Sequence, residues 1–535
     1  SPDDSPIASN ILNGASSALY GTNAIGGVIN IITDDAKNAI NVSSDTRYAS
    51  KGRFTQSVNI DVNTGKFGSY TSYRRQQAEG WQLNPYEENS KTHELEETGK
   101  VASTGFYANT VNQKFTFDAT DKLSFYARGG YYDNKTRRPY EAYDYNILHE
   151  TFNYGIGAQY MINKGNYITA DCYADHFSSS YCFFKDNKTY NGKAGEEQVR
   201  KRTRNHNLSI KGIFKLGNRH KLSVGTEYIV DVLKSQTDNI AKEDAYTLAL
   251  FAQDEIKLLR NLQALIGVRY IYHENFKNHA TPNVALMYKP GKFNFRASYA
   301  AGFRTPTLSE LYATDIAKKN DRLTIGNLDL KSEKNNYFSL SAEYVHERFS
   351  VSVNAFYNNI RDMIDYNTIA TGDKAMEQYG HKEVRQRDNI AEAKVYGINV
   401  SANAYLGAGF NLSGGYTHLN TQDVELEQPI DKSIKNAYNI NAQWAHSWKI
   451  YRLNINLNGR FNSKRFSKSY GYAPEYQLWD LNTRHSFNLK SVIIEPGCGM
   501  ENLFDYMDDR PYNSNYATLT PGRSFYISLS LKFKS

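Results

Sequence analysis

Aromatic and basic side chains are concentrated in two polar stretches of the chain, residues 133–150 and 179–199. In the first stretch the candidates follow one another closely: Arg138, Tyr140, Tyr143 and Tyr145. The second stretch contributes four aromatic residues: Tyr181, Phe183, Phe184 and Tyr190. Aromatic rings give a large contact area at low entropic cost, so these residues are predicted to hold a planar or macrocyclic ligand. The alternative is that they form an aromatic girdle at a membrane interface.

Tyrosine and histidine can also coordinate iron, for example as axial ligands of haem. Tyr312 is the only such residue between Pro306 and Gly326, and Tyr379 with His381 forms a second candidate pair. A single histidine on a polar connection is more often a solvated surface residue. An anionic ligand would instead be attracted by short basic pairs, although such pairs are also ordinary solubility features. These pairs are Arg137 with Arg138, Lys318 with Lys319, and Arg385 with Arg387.

Motifs for catalysis and for nucleic-acid binding are missing from the sequence. Residues 21–27 are glycine-rich, but no Lys-Ser/Thr follows them and no βαβ context surrounds them. We find neither zinc-type Cys/His spacing nor a Gly-x-Ser-x-Gly elbow. The net charge of +7 is spread over 535 residues and does not indicate a basic patch for nucleic-acid binding. We therefore predict no catalytic residue, no resident metal, no cofactor and no nucleic-acid partner.

The composition narrows the fold class. Aromatic residues make up 13% of the chain, including 42 Tyr, which argues against disorder. No stretch approaches the ~20 consecutive apolar residues of a membrane helix. Only 12 Pro interrupt the chain, which favours long strands. If Cys172 and Cys182 lie on one extended strand, about 33 Å separates them and they cannot form a disulfide.

Alternating apolar and polar residues indicate strands with one lipid-facing side, as in Ile527, Leu529, Leu531 and Phe533. Short turns recur at 63–66, 120–122, 163–166, 217–219, 260–261, 290–292, 346–348, 407–409, 448–449 and 490–491. Long connections lie between them, at 77–105, 133–150, 179–199, 302–334, 360–389, 420–435, 463–474 and 502–521. Ten turns with both chain ends on the turn side predict an all-β, transmembrane antiparallel β-barrel of about 22 strands with about 11 loops. We number 133–150 and 179–199 as the third and fourth loops, and 302–334 and 360–389 as the seventh and eighth.

Three separated segments resemble TonB-dependent outer-membrane receptors. Residues 18–33 are similar to the end of that family's plug domain, although Asn13-Gly14-Ala15 replaces the usual Arg-Gly-Pro. Residues 303–312 and 326–333 resemble the paired motifs that flank the seventh loop. The motifs at 502–505 and 521–523, followed by the alternating run to Phe533, resemble the last two strands.

The resemblance implies active import across the bacterial outer membrane without a chemical step on the ligand. The expected cargo is a scarce, bulky nutrient: a siderophore or other iron complex, haem, or cobalamin. The expected partners are the TonB energy-transducing complex and the outer-membrane lipids. The sequence does not decide whether a surface lipoprotein also caps the barrel. The alternative is a passive porin or adhesin-type barrel without energy coupling, which would have no reason to carry a plug motif.

The same resemblance suggests a division of the chain. Residues 1–35 are expected to be the C-terminal tail of a plug domain inside the barrel, and residues 36–535 the barrel with its long extracellular loops. The family also has a TonB box and a much larger plug, so we expect the N-terminal part of the receptor to be absent from this sequence. The candidate substrate-binding residues are Arg138, Tyr140, Tyr143, Tyr145, Tyr312, Tyr379 and His381.

Overall fold

The computed structural model describes residues 7–13, 27–33, 39–89, 92–317 and 321–534, the first two ranges by their backbone alone. The glycine-rich stretch 14–26 of the predicted plug motif and the Lys318–Lys319 pair lie outside the described residues. In the part of the chain that is described, no helix is long and apolar enough to cross a membrane.

Strands dominate the chain and are numbered here in order. The first fifteen are β1 (Ile7–Asn13), β2 (Gly27–Thr33), β3 (Ile40–Ala49), β4 (Arg53–Asn63), β5 (Phe67–Ala78), β6 (Tyr86–Glu88), β7 (Leu95–Glu97), β8 (Gly105–Asp118), β9 (Leu123–Arg137), β10 (Tyr145–Asn163), β11 (Asn166–Phe183), β12 (Glu197–Leu216), β13 (His220–Ser235), β14 (Ile240–Leu259) and β15 (Leu262–His273).

The second half of the chain continues this pattern with fifteen more strands: β16 (Lys277–Tyr288), β17 (Phe293–Arg304), β18 (Thr314–Ala317), β19 (Arg322–Ile325), β20 (Glu333–Val345), β21 (Phe349–Thr371), β22 (Glu383–Gly407), β23 (Phe410–Asp423), β24 (Asn436–Trp448), β25 (Tyr451–Asn462), β26 (Arg465–Ser467), β27 (Gly471–Ala473), β28 (Tyr476–Leu489), β29 (Val492–Glu501) and β30 (Ser524–Lys534). Two short helices lie in loops, α1 (Leu308–Tyr312) and α2 (Gly372–Tyr379).

Twenty-two of these strands form one closed antiparallel barrel. Each pairs with its neighbour along the chain, and β30 pairs with β3 to close the cylinder. The short strands β6, β7, β18, β19, β26 and β27 belong to the loops, and β1 pairs with β2 in a sheet of its own. The predicted all-β transmembrane barrel of about 22 strands is confirmed.

The ten predicted turns all lie between barrel strands, on one rim. The turn between β4 and β5 shows the chemistry behind the prediction: Asn63 Oδ1 accepts a hydrogen bond of 2.7 Å from the Gly65 N–H, and Gly65 has φ +91°. Glycine adopts this left-handed conformation at no steric cost. The positions of these turns could therefore be predicted from Asn and Gly residues in the sequence.

The opposite rim is less regular than the sequence indicates. The third loop spans only residues 138–144, because β9 and β10 continue to pair beyond the membrane span. Residues 50–52, 236–239 and 274–276 form three further connections on this rim that are as short as turns. The strands that extend furthest beyond the membrane are β21 and β22. They have 23 and 25 residues, against the ~10 residues that a membrane span requires.

Side chains alternate between lipid and lumen along each strand. On β30, Phe525, Ile527 and Leu529 are 55%, 65% and 42% exposed on the outer face. The ring of Tyr526 points inward, 3.8 Å from the guanidinium carbon of Arg47. Cys172 and Cys182 both lie on β11, so the extended-strand argument against a disulfide between them applies.

Candidate ligand-binding site

The aromatic residues of the third and fourth loops come together where β10 and β11 emerge from the barrel. The rings of Tyr145 and Tyr181 stack with centroids 4.1 Å apart and an angle of 21° between their planes. Tyr190 meets both rings edge-on, at 5.8 Å from Tyr145 and 5.1 Å from Tyr181. Phe183 completes the group at 5.6 Å from Tyr145. We call Tyr145, Tyr181, Phe183 and Tyr190 the aromatic cluster.

Three cationic side chains lie on these rings and on their neighbours. The guanidinium carbon of Arg138 is 3.7 Å from the ring centroid of Tyr143 and 4.9 Å from that of Tyr145. Arg200 lies 5.4 Å from the Tyr181 ring and 4.9 Å from the Tyr190 ring. Lys185 Nζ is 3.8 Å from the ring centroid of Tyr140 and also donates to the Tyr140 carbonyl. All of these distances are within the range of cation–π attraction.

Asp144 fastens the fourth loop to the third. Its carbonyl oxygen accepts hydrogen bonds from the N–H groups of Phe184 and Lys185, at 2.9 and 3.1 Å. Its carboxylate accepts a bond of 2.7 Å from Asn187 Nδ2, and Asn187 Oδ1 accepts from the Tyr190 N–H at 2.9 Å. This chain of bonds sets the position of Tyr190 against the cluster. Tyr140 and Phe184 stack beside it at 5.5 Å.

In the described part of the structure, the positive charge of this surface has no carboxylate partner. Among the described residues, no ion pair includes Arg138, Lys185 or Arg200. One nitrogen of Arg138, Nη1, is buried without a hydrogen-bond partner. Burial also raises the pKa of the Tyr190 hydroxyl. The arrangement can therefore attract an anion that also offers a flat face.

Lys100, in the long connection between β5 and β8, provides a contrast. Its Nζ is 2.8 Å from Glu87 Oε2, and this hydrogen bond is the main cause that raises the pKa of Lys100. The Lys100 amine lies 5.7 Å from the ring centroid of Tyr512 in the last loop. Because Glu87 compensates its charge, Lys100 adds less to the attraction of an anion than Arg138 does.

Tyr312 lies apart from the aromatic cluster, at the end of α1 in the seventh loop. It packs with Phe276 against the buried residues Leu311, Leu330 and Ile364. Burial raises the pKa of its hydroxyl group. The observed contacts of Tyr312 are those of a packing residue that attaches the seventh loop to the barrel rim.

Tyr379 and His381 lie in the eighth loop. Tyr379 ends α2 and is 41% exposed. His381 Nδ1 is 2.9 Å from Asp321 Oδ1, and this hydrogen bond is the main cause that lowers the pKa of Asp321. The contact between His381 and Asp321 connects the eighth loop to the seventh. Within the described ranges, no group of three or more His, Cys, Asp or Glu side chains is arranged to hold a metal ion.

The structure brings together the candidate residues of the third loop and leaves Tyr312, Tyr379 and His381 in other loops. Of the predicted residues, Arg138 contacts both Tyr143 and Tyr145, and Tyr140 contacts Lys185 and Phe184 of the fourth loop. Lys185 and Arg200 were missed. Their one signal in the sequence is that each lies within ten residues of an aromatic residue in the fourth loop.

A closed antiparallel barrel of 22 strands, with short turns on one rim and longer loops on the other, is typical of large outer-membrane β-barrels. The sequence matches the family described as TonB dependent receptor-like, beta-barrel, over residues 48–495. The chain belongs to this family. It therefore lies in the bacterial outer membrane and is a TonB-dependent importer, and a passive porin or adhesin is not favoured.

Solved structures agree with this fold. The ferric enterobactin receptor PfeA from Pseudomonas aeruginosa is 17% identical with a TM-score of 0.83, and the match covers 99% of this chain and 85% of that chain. The siderophore receptor PirA from Acinetobacter baumannii is 16% identical with a TM-score of 0.79, over 98% and 85%. The FrpB iron transporter from Neisseria meningitidis is 14% identical with a TM-score of 0.76, over 98% and 87%.

Proposed function

We propose that this receptor imports a ferric complex of an anionic, aromatic siderophore, of which a catecholate is the simplest type. The observation that carries the proposal is the position of Arg138, which lies between two tyrosine rings without a carboxylate partner in the described structure. A catecholate complex presents negative charge and flat rings together, and this surface presents cations and flat rings together.

The solved relatives support the same class of cargo. One is a receptor for ferric enterobactin, a second is a siderophore receptor and a third is an iron transporter. At 14–17% identity these structural similarities establish the fold alone. The assignment of cargo therefore depends on the loop chemistry of this chain.

Transport requires no catalysis, and we propose that the ligand leaves the protein unchanged. The energy would come from the TonB complex, and the outer-membrane lipids would surround the barrel. We also propose that residues 1–35 are the tail of a plug inside the barrel and 36–535 the barrel itself. The separate pairing of β1 with β2, outside the barrel sheet, supports this division. A surface lipoprotein stays a further candidate partner.

Tyr312, Tyr379 and His381 stay predictions as ligand contacts. Tyr379 has the most accessible side chain of the three and is the one most available to a bound ligand. Tyr312 is packed against buried residues, which argues against Tyr312 as a ligand of haem iron. The hydrogen bond of His381 to Asp321 involves Nδ1 and not Nε2, so it does not argue against His381 as an iron ligand.

The proposal is tested by ligand binding to the purified natural protein in detergent. Ferric catecholate, ferric hydroxamate, haemin and cyanocobalamin are compared by quenching of intrinsic fluorescence. We expect the ferric catecholate to bind most tightly and its binding to fall on Arg138→Gln and Tyr145→Leu. Lys193→Gln is the control, since Lys193 lies in the neighbouring fourth loop and pairs with the exposed Asp186, at 3.5 Å. Preference for haemin or cyanocobalamin would refute the assignment.

A further inference from the structure

The outward face of β12 changes from basic to apolar along its length. Its successive outward side chains, all exposed, are Arg202, Arg204, His206, Leu208 and Ile210. Leu208 and Ile210 are 51% and 47% exposed, like other lipid-facing residues of this barrel. Because β12 follows the fourth loop, its basic residues lie at the extracellular end. They are therefore at the level where the apolar band meets the lipid headgroups.

The two neighbouring strands add basic groups to the same face. Lys234 of β13 lies directly opposite Arg202, and His176 of β11 lies directly opposite Arg204. The ring of His176 is 5.5 Å from that of His206, and its Nε2 atom is buried without a hydrogen-bond partner. We call Arg202, Arg204 and Lys234 the outer basic patch, and His176 adjoins it.

Nothing in the described part of the chain neutralises this charge. No ion pair between described residues includes Arg202, Arg204 or Lys234. Nearby carboxylates on the outer face have other partners. Glu150 accepts from the Tyr131 hydroxyl at 2.8 Å, and Asp244 is 3.2 Å from Lys242 Nζ.

Such an arrangement is unfavourable unless an anion binds to it. Like charges directly opposite on paired strands repel each other, as Arg202 and Lys234 must. Arg202 and Arg204 are two residues apart on one face, which places them about 7 Å from each other. An anionic group between these side chains would relieve the repulsion. Guanidinium groups favour phosphate in particular, because they can bind it with two parallel hydrogen bonds.

We propose that the outer basic patch binds the phosphorylated headgroup of a lipid in the outer leaflet. The apolar side chains just below the patch identify the occupant as a lipid. Leu208 and Ile210 continue the same face of β12, and Tyr228, which is 43% exposed, lies opposite Leu208 on β13. They provide a surface for acyl chains beneath the headgroup, which a soluble anion would not need.

The test compares the natural protein with a triple variant, Arg202→Gln, Arg204→Gln and Lys234→Gln, in lipid nanodiscs. The discs contain phosphatidylcholine alone or phosphatidylcholine with lipid A, whose headgroup carries two phosphates. The matched control removes the same charge from three exposed lysines on the turn rim: Lys122→Gln, Lys164→Gln and Lys289→Gln. Native mass spectrometry measures bound lipid A, and thermal unfolding measures its effect on stability.

We expect the natural protein and the control to retain lipid A and to unfold at a higher temperature in its presence. The triple variant should bind lipid A about a hundredfold more weakly, since each basic residue near an anionic surface contributes about a factor of five. Equal retention by the triple variant would overturn the proposal. An equal rise in unfolding temperature on adding free pyrophosphate to phosphatidylcholine discs would also overturn it, because the patch would then be a site for soluble anions.

Discussion

At the scale of the residue, the main feature of the binding surface is a cation held between aromatic faces. Arg138 contacts the rings of Tyr143 and Tyr145, and its backbone N–H donates to Asn146 Oδ1 at 2.8 Å. The rings hold the guanidinium in place without removing its charge, which a carboxylate would do. A ligand that carries negative charge then gains Coulomb attraction without first breaking an ion pair.

Replacing Arg138 by Gln should weaken binding of a ferric catecholate about 5- to 30-fold, the equivalent of about 1–2 kcal/mol for a partly desolvated cation–π pair. The dependence of the dissociation constant on salt should also become shallower, because one charge of the site is lost. Titrations at two ionic strengths measure both effects. An unchanged salt dependence would show that Arg138 acts only by shaping the loop.

At the scale of the element, two loops are held in place by close contacts of particular residues. In the fourth loop, a Cβ on Gly192 would lie 2.5 Å from ring atoms of Phe183, so the loop approaches the aromatic cluster only because this residue is glycine. In the seventh loop, Arg304 donates to Glu333 at 2.8 Å and to Glu310 at 2.9 Å, which fixes the loop at both ends. We call these three side chains the clamp.

Gly192→Ala should therefore move the fourth loop away from the cluster. We expect affinity for the ferric catecholate to fall by about one order of magnitude, because near-neutral contacts around a binding centre act by holding it in place. The unfolding temperature of the barrel should stay the same. Lys188→Ala is the control in the same loop, and a normal affinity of Gly192→Ala would contradict this account.

Arg304→Gln should loosen the seventh loop, because it leaves the carboxylates of Glu310 and Glu333 without their cation. The free energy of local opening should fall by about 2 kcal/mol, less than for a fully buried pair because the three groups retain some contact with solvent. Hydrogen exchange of residues 308–317 and 321–330 measures this change. Exchange at the natural rate would rule out the clamp.

The same clamp predicts how the loop responds to acid. Burial opposes ionisation of Glu310, but hydrogen bonds from Arg304 and Thr307 prevail and lower its pKa. A depressed carboxyl pKa contributes stability above the unfolded value of about 4.3, and this contribution is lost as the pH falls through the folded value. The protection factors of residues 308–317, which correct exchange for its intrinsic dependence on pH, should thus be flat from pH 8 to pH 5 and fall below about pH 4. Glu310→Gln should remove this acid step, and an acid step that persists in it would assign the effect to other groups.

At the scale of the whole molecule, the sequence predicted the barrel better than its outer rim. Turns such as Asn63-Thr64-Gly65 depend on local backbone chemistry, so their positions are readable from residue types. The ends of β21 and β22 cannot be read from residue types. Strands that continue into water have polar side chains on both faces and lose the alternation of apolar and polar residues. The contacts of Lys185 and Arg200 depend on how the fourth loop folds back, which involves residues far apart in sequence.

The most direct test of the account is uptake of iron by cells that lack other siderophore receptors and produce the natural protein. Radiolabelled ferric catecholate is supplied with and without a functional TonB complex. We predict accumulation that requires TonB and that falls with Arg138→Gln but not with Lys193→Gln. Equal uptake without TonB, or equal uptake by both variants, would contradict the assignment of an energy-coupled importer that captures its ligand at the third and fourth loops.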